Sequence, residues 1–281
     1  MTLQAIDITK DFPESRERAV LLEMLKVIRV LKAEGIDAVI CGGWVPFLKE
    51  LARDSRSTHM MSFDIDVLLR AKARERESID RIKYLISTPL DFKPSKTASF
   101  TYEKTVDGNL VQLDLLADLP RLREDESVLK FYGSETSLEL CLVDGAEDLN
   151  DHVETIYISC REGEEVETFE LTVPDCVGFL MLKTAVCKFR EKPKDSYDIY
   201  YYCRYSEEPS VIRQRLAEFA VEPAVGATIN SLKTNFSHED SKWVEMVLDH
   251  MEITDVNDRD QEALLIVRPI GHVIPLIPGR S

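Results

Sequence analysis

Phe63-Asp64-Ile65-Asp66-Val67-Leu68-Leu69 alternates acidic with apolar residues and then becomes wholly apolar. Residues two apart on a strand share a face, so Asp64 and Asp66 aim together while Ile65 and Val67 pack into a sheet. Two carboxylates this close repel each other, and a divalent cation relieves that repulsion. Oxygen ligands of this kind favour Mg²⁺ or Mn²⁺. Alone, an Asp-x-Asp pair is a frequent surface feature, so the flanking sequence has to decide its meaning.

Upstream, residues 19–34 carry leucines and valines at helical spacing and stop at Gly35. Residues 36–41 form a short β-branched, apolar run, read as a buried strand. Cys41-Gly42-Gly43-Trp44 then turns into a helix over 45–52. A strand-to-helix turn offers backbone amides and a helix N-terminus to a phosphate. Glycine there lets the main chain approach the ligand closely; the alternative is a plain tight turn. A polar loop, 53–62, connects this helix to the acidic strand.

Downstream, residues 75–87 read as a charged amphipathic helix. Strands follow at 99–104 and 110–116, joined through Asp107-Gly108-Asn109. The second of these contains Val111-Gln112-Leu113-Asp114-Leu115-Leu116. A carboxylate buried in such a run is costly unless it meets a cation, a base or a donor. Asp114 thus completes a three-carboxylate metal set and is placed to accept a proton from an attacking hydroxyl. Asp118 belongs to a following loop or cap.

Further strands are expected at 138–143, 155–160 and 166–173, with Gly163 in a turn. From Pro174 the pattern becomes helical: 176–190, a break at Pro193, 195–203, then 208–219, 224–233 and 238–250. The apolar runs 263–267 and 274–277 are read as a tail packing back on the body. The expected fold is α+β, with a mixed sheet over 1–173 carrying the site and a helical domain over 174–281.

The chain has 281 residues, 44% hydrophobic and 31% charged, the balance of a soluble globular protein. No stretch approaches the ~20 apolar residues of a membrane span, and the Met-Thr-Leu-Gln-Ala-Ile-Asp start lacks a signal-peptide pattern. A cytoplasmic protein without membrane partners is expected. Six cysteines without a CxxC pair read as small buried hydrophobes in a reducing compartment. The net charge of −16 argues against broad nucleic-acid binding and reads mainly as solubility. It leaves room for a local basic groove, and the segment from Lys183 to Lys194 is such an island.

Together, Gly42-Gly43, Asp64-Ile65-Asp66 and Asp114 resemble the nucleotidyltransferase superfamily, whose motif is a glycine-rich turn, Asp-x-Asp and a third Asp on a later strand. The interval from turn to carboxylates is longer here than is usual for that motif. The extra residues fall in the 53–62 loop, which contains Arg53, Arg56 and His59. A second stretch runs Leu182-Lys183-Thr184-Ala185-Val186-Cys187-Lys188-Phe189-Arg190, then Lys192-Pro193-Lys194-Asp195-Ser196-Tyr197-Asp198-Ile199-Tyr200. It looks like the helical signature of AbiEii-type nucleotidyltransferases, toxins of bacterial toxin–antitoxin and phage-defence systems. Lys183, Arg190, Lys194, Asp195, Tyr197 and Asp198 are the matching positions.

The resemblance implies transfer of a nucleoside monophosphate from an NTP to an RNA, protein or small-molecule acceptor, with Mg²⁺ or Mn²⁺ as cofactor and pyrophosphate as the leaving group. Asp64, Asp66 and Asp114 would hold the metals, with Asp114 also helping to deprotonate the acceptor. Gly42 and Gly43 would cradle the β- and γ-phosphates. Lys183 and Arg190, seven apart on one helical face, would neutralise phosphate charge. Lys194 would join them, with Asp195 and Asp198 orienting the cations. An antitoxin protein is the implied partner. Two alternatives stand: the same chemistry on an aminoglycoside-like molecule, which an acidic surface would attract, and a non-catalytic relative that binds a nucleotide or a protein.

Overall fold

The computed structural model describes residues 6–12, 15–53, 62–117, 128–143, 146–162 and 164–275. The chain separates into two units, Met1–Pro174 and Asp175–Ser281. The loop residues Arg56 and His59, together with Asp118, Gly163 and the last six residues, lie outside the described residues.

The first unit opens with β1 (Ile6–Asp7) and α1 (Ile8–Asp11). In α2 (Ser15–Ala33) the buried Leu21, Met24, Leu25, Ile28 and Leu31 recur every three or four residues. Gly35, at φ 69°, supplies the left-handed residue that ends the helix. β2 (Ala38–Ile40) and α3 (Trp44–Leu51) follow on either side of the glycine turn. Next come β3 (Asp64–Leu69), α4 (Arg76–Ser87), β4 (Lys93–Pro94), β5 (Thr101–Val106) and β6 (Asn109–Ala117). Two hairpins complete the unit, β7 (Val128–Tyr132) with β8 (Ser137–Leu142), and β9 (Val153–Glu162) with β10 (Glu165–Pro174).

The larger sheet is mixed, in the order β2-β3-β6-β5-β4. β3 and β6 run parallel at its centre, and their neighbours β2 and β5 are antiparallel to them. Near its C-terminal end β6 also pairs with β8, which carries β7. One face of the central strands presents Ile65, Val67, Val111, Leu113 and Leu115, all fully buried in one core with α2 and with Ile79 and Ile82 of α4. Each such side chain contributes about 1.5–3 kcal/mol by leaving water. A second sheet has the order β1-β9-β10. β5 lies two residues later than the spacing predicts, and the β5–β6 loop is the two-residue Asp107-Gly108, with φ of 49° and 80°. Positive φ at both positions is the primed turn that suits strand twist.

The second unit is helical: α5 (Cys176–Phe189), α6 (Pro193–Tyr201), α7 (Pro209–Glu218), α8 (Pro223–Asn235), α9 (Lys242–His250) and α10 (Val256–Val273). α6 starts at Pro193 and passes into a wide π-type turn at Tyr202–Ser206, where the sequence pattern gives one helix over 195–203. α9 starts at Lys242, four residues later than the pattern. The expected apolar tail is corrected most: 263–267 lies inside the 18-residue α10, capped by Asp255 accepting from the Asn257 and Asp258 amides. Ala263, Ile266, Ile270 and Val273 are its buried stripe, while Leu264 and Leu265 face out. No helix among the described residues is long and apolar enough to cross a membrane.

Candidate metal centre and an ion network

Parallel pairing of β3 with β6 sets Asp66 opposite Asp114 and Asp64 opposite Gln112. Because partners across a ladder share a face, all three aspartates stand on one side of the sheet. The buried apolar residues stand on the other. A one-residue slip would bury the carboxylates and expose the core, so the register is strongly specified. Each aspartate offers a carboxylate oxygen within 4.8 Å of the other two, and all three are half-buried. Antiparallel β5 sets Thr101 opposite Asp114, and its hydroxyl donates to Asp114 Oδ1 at 2.5 Å. The Ser62 hydroxyl donates to Asp64 Oδ1. An all-carboxylate donor set fits Mg²⁺ or Mn²⁺.

The glycine turn is built against this cluster. The Cys41 amide donates to the Asp66 carbonyl at 2.9 Å, carrying the chain from β2 past β3. Gly42 then adopts φ 73°, a left-handed conformation that favours glycine. A Cβ at Gly42 would lie 1.9 Å from Asp66 Oδ2. Position 42 therefore needs glycine for conformation and for space. Gly43 is different: at φ −72° and ψ −9° it has ordinary right-handed geometry and forms the N-terminal boundary of α3. Trp44, the first residue of that helix, is fully buried.

In the helical unit, Lys183 of α5 reaches α6. Its ammonium donates to Asp195 Oδ1 at 3.0 Å and to Asp198 Oδ2 at 2.6 Å. Arg190 donates two hydrogen bonds to Asp195, from Nε at 2.8 Å and from Nη2 at 3.1 Å, and Lys194 donates to Asp198 Oδ1 at 2.8 Å. Lys183, Asp195 and Asp198 are buried. Burial alone would lower the Lys183 pKa, but Asp198 and Asp195 outweigh it and raise that pKa. Burial would likewise raise that of Asp195, and Lys183 with Arg190 brings it below the ordinary range. Tyr197 packs its ring 4.7 Å from His250. Burial, together with the nearby Lys194 charge, lowers the His250 pKa.

No known family model matches this chain, and no curated protein does. One solved structure with some likeness is the crystal structure of an antigenic nucleotidyltransferase-like protein from Paracoccidioides brasiliensis. It shares 15% identity at a TM-score of 0.37, over 75% of this chain and 87% of that one. The assignment therefore rests on this chain's own residues.

The structure brings Asp64, Asp66 and Asp114 together and sets Gly42 against them. Lys183, Arg190, Lys194, Asp195 and Asp198 meet one another in a single network of the second unit, buried at its centre. Sequence reading passed over Thr101 and Ser62. The signal for Thr101 was available: a two-residue turn at Asp107-Gly108 places it opposite Asp114 by counting back along the hairpin.

Proposed function

We propose that this chain is a divalent-cation-dependent nucleotidyltransferase, moving a nucleoside monophosphate from an NTP to an acceptor hydroxyl. The observation that carries the reading is the three-carboxylate cluster on one sheet face, with Gly42 closed against Asp66. Bound cations would screen the triphosphate and activate the attacking oxygen. Asp64 and Asp66, from one strand, would hold them from one side, and Asp114 from the adjacent strand would hold one of them.

Asp114 is also placed to take the proton from the acceptor hydroxyl as its oxygen bonds to the α-phosphorus. The bond from that phosphorus to the α–β bridging oxygen breaks, and pyrophosphate leaves with the electron pair. Thr101 fixes the Asp114 carboxylate, so the transfer needs little reorganisation. Backbone amides at the start of α3 would take phosphate oxygens, with Gly42 and Gly43 forming the turn. A toxin of a toxin–antitoxin pair is the finer reading, supported by the resemblance of the Lys183–Asp198 stretch.

The test is incubation of purified protein with Mg²⁺, each α-phosphate-labelled NTP in turn, and either total RNA or a set of aminoglycosides. Label reaching RNA or drug, and absent with the Asp64→Ala/Asp66→Ala protein, supports the reaction and names donor and acceptor. Absence of transfer together with absence of metal-dependent NTP binding by calorimetry refutes it. Growth arrest on expression, relieved by the same double substitution, tests the toxin reading.

A further inference from the structure

The metal-bearing face of the sheet continues past the aspartates. Gln112 of β6 stands beside Asp64, and Glu103 of β5 stands beside Gln112. Partners across a ladder share a face, so both side chains rise on the side of the aspartates. Both are half-buried. The Ser95 hydroxyl donates to Glu103 Oε1 at 2.7 Å, and the Gln112 amide donates to the same oxygen at 3.4 Å. A carboxylate only accepts, so Glu103 fixes which end of the Gln112 amide faces it. Among the described residues, Glu103 Oε2 and Gln112 Oε1 accept no hydrogen bond.

Strand order decides which substrate this pair would meet. The Gly42 turn follows β2, on one side of β3, while β6 and β5 lie on the other. Phosphoryl transfer sets the attacking and leaving oxygens roughly in line. With pyrophosphate leaving toward the Gly42 turn, the attacking hydroxyl comes in over β6 and β5. Glu103 is diagonal to Asp114 on that ladder, a separation of about 7–8 Å. Beyond the pair, the same face carries exposed Leu110 and Thr105. Lys93 of β4 stands opposite Glu103, is exposed, and among the described residues makes no ion pair.

We propose that Glu103 and Gln112 form an acceptor subsite that selects an amino alcohol, its ammonium on Glu103 and its hydroxyl at Asp114. This rests on the transferase reading above and names the acceptor class for it. Glu103 Oε2 accepts from the ammonium, and the Gln112 carbonyl accepts from a neighbouring N–H or hydroxyl. A hydrogen bond between ions is the stronger kind, so Glu103 sets the preference. A phosphodiester in the same place would bring only acceptor oxygens and a negative charge, which Glu103 repels. Amino sugars carry hydroxyl and ammonium groups on one ring and an apolar ring face for Leu110. The net charge of −16 draws the same cations toward the chain.

The test uses the full chain, Mg²⁺ and a set of aminoglycosides, each also in its N-acetylated, uncharged form. Transfer from an α-phosphate-labelled NTP reads KM and kcat, and calorimetry with a non-hydrolysable NTP analogue reads binding alone. Glu103→Gln keeps the shape of the side chain and an acceptor for Ser95. It should raise KM and Kd for the amines about tenfold, with kcat little changed. Acetylation should cost the parent a similar factor and cost Glu103→Gln nothing further. Glu165→Gln, removing an equal charge from exposed β10, should change neither constant. Weaker amine binding in Glu103→Gln, without transfer by either protein, supports the amino-alcohol site and refutes the transferase reading. Transfer to RNA that Glu103→Gln leaves unaltered supports that reading and overturns the subsite. Absence of amine binding, or equal affinity for the acetylated forms, overturns it as well.

Discussion

Asp66 ties together more of the candidate site than any other residue, because it belongs to the three-carboxylate cluster, accepts from the Cys41 amide and closes the space above Gly42. Cations bound by the folded state alone stabilise it by about 2.7 kcal/mol at a hundred times their Kd. Differential scanning calorimetry should show Tm rising with Mg²⁺ or Mn²⁺, and the rise should vanish in Asp66→Asn. Gly42→Ala should also abolish the metal response. Its left-handed backbone alone costs about 1–2 kcal/mol with any Cβ, and the clash moves Asp66 besides; isothermal titration with Mn²⁺ reads the loss directly. The three aspartates were legible because an acidic residue in an apolar, period-two run has little else to do. Thr101 was not: reading the turn as three residues hides the pairing that a two-residue turn sets.

At the scale of elements, α4 holds the β7–β8 hairpin by its tip. Arg76 donates to the Gly133 carbonyl, Lys83 to the Ser137 carbonyl, and between them Asp80 accepts from the amides of Ser134, Glu135 and Thr136. The Thr136 hydroxyl, first among these bonds, keeps the Asp80 carboxyl below its ordinary range. Asp80→Ala should speed hydrogen exchange at Ser134 and Thr136 while exchange in β3 and β6 stays slow. β7 escaped sequence reading because it is short and only partly buried, with no clean alternation. α10 escaped because Pro269 lies inside it and its first turns are polar, which hides an apolar stripe.

The ion network joins α5 to α6, and removing its central cation leaves the two buried carboxylates facing each other with only the more exposed Arg190 and Lys194 to offset them. Breaking a buried pair in this way costs about 3–5 kcal/mol, so Lys183→Met should lower the urea midpoint clearly. Cys187 gives a local probe, since burial pushes its thiol up to about 12 and keeps it unreactive. Labelling of Cys187 by a thiol reagent should accelerate in Lys183→Met. The sequence showed these charges at helical spacing but not that they would be buried together, because a charged helix reads as a solvated one until its neighbours are known.

Over the whole molecule, the depressed carboxylates decide the response to acid. Glu23 is buried, which would raise its pKa, but its hydrogen bonds to Lys104 and Lys26 bring it below the ordinary 4.5; Asp195 lies below 3.8. A group whose folded pKa is depressed stabilises above its unfolded value and loses that contribution as pH falls through the folded one. Lys183, raised above 10.5, keeps its contribution at all lower pH. Their contribution to stability should therefore hold constant from about pH 5 to 10 and fall steeply below about pH 4, followed by circular dichroism melts. The division of the chain into a strand-bearing and a helical unit was legible from the change of pattern at Pro174. The long β9–β10 hairpin was legible as strands but not as a sheet separate from the central one, because pairing partners leave no mark on local periodicity.

The fit of Gly42 against Asp66 also has a genetic consequence. An allele with any side chain at codon 42 could be relieved by a second change only if codon 66 encoded something shorter. A shorter residue there no longer reaches the cations. In a suppressor screen for lost activity, lesions at codon 42 should thus yield same-codon revertants and no compensating allele at codon 66.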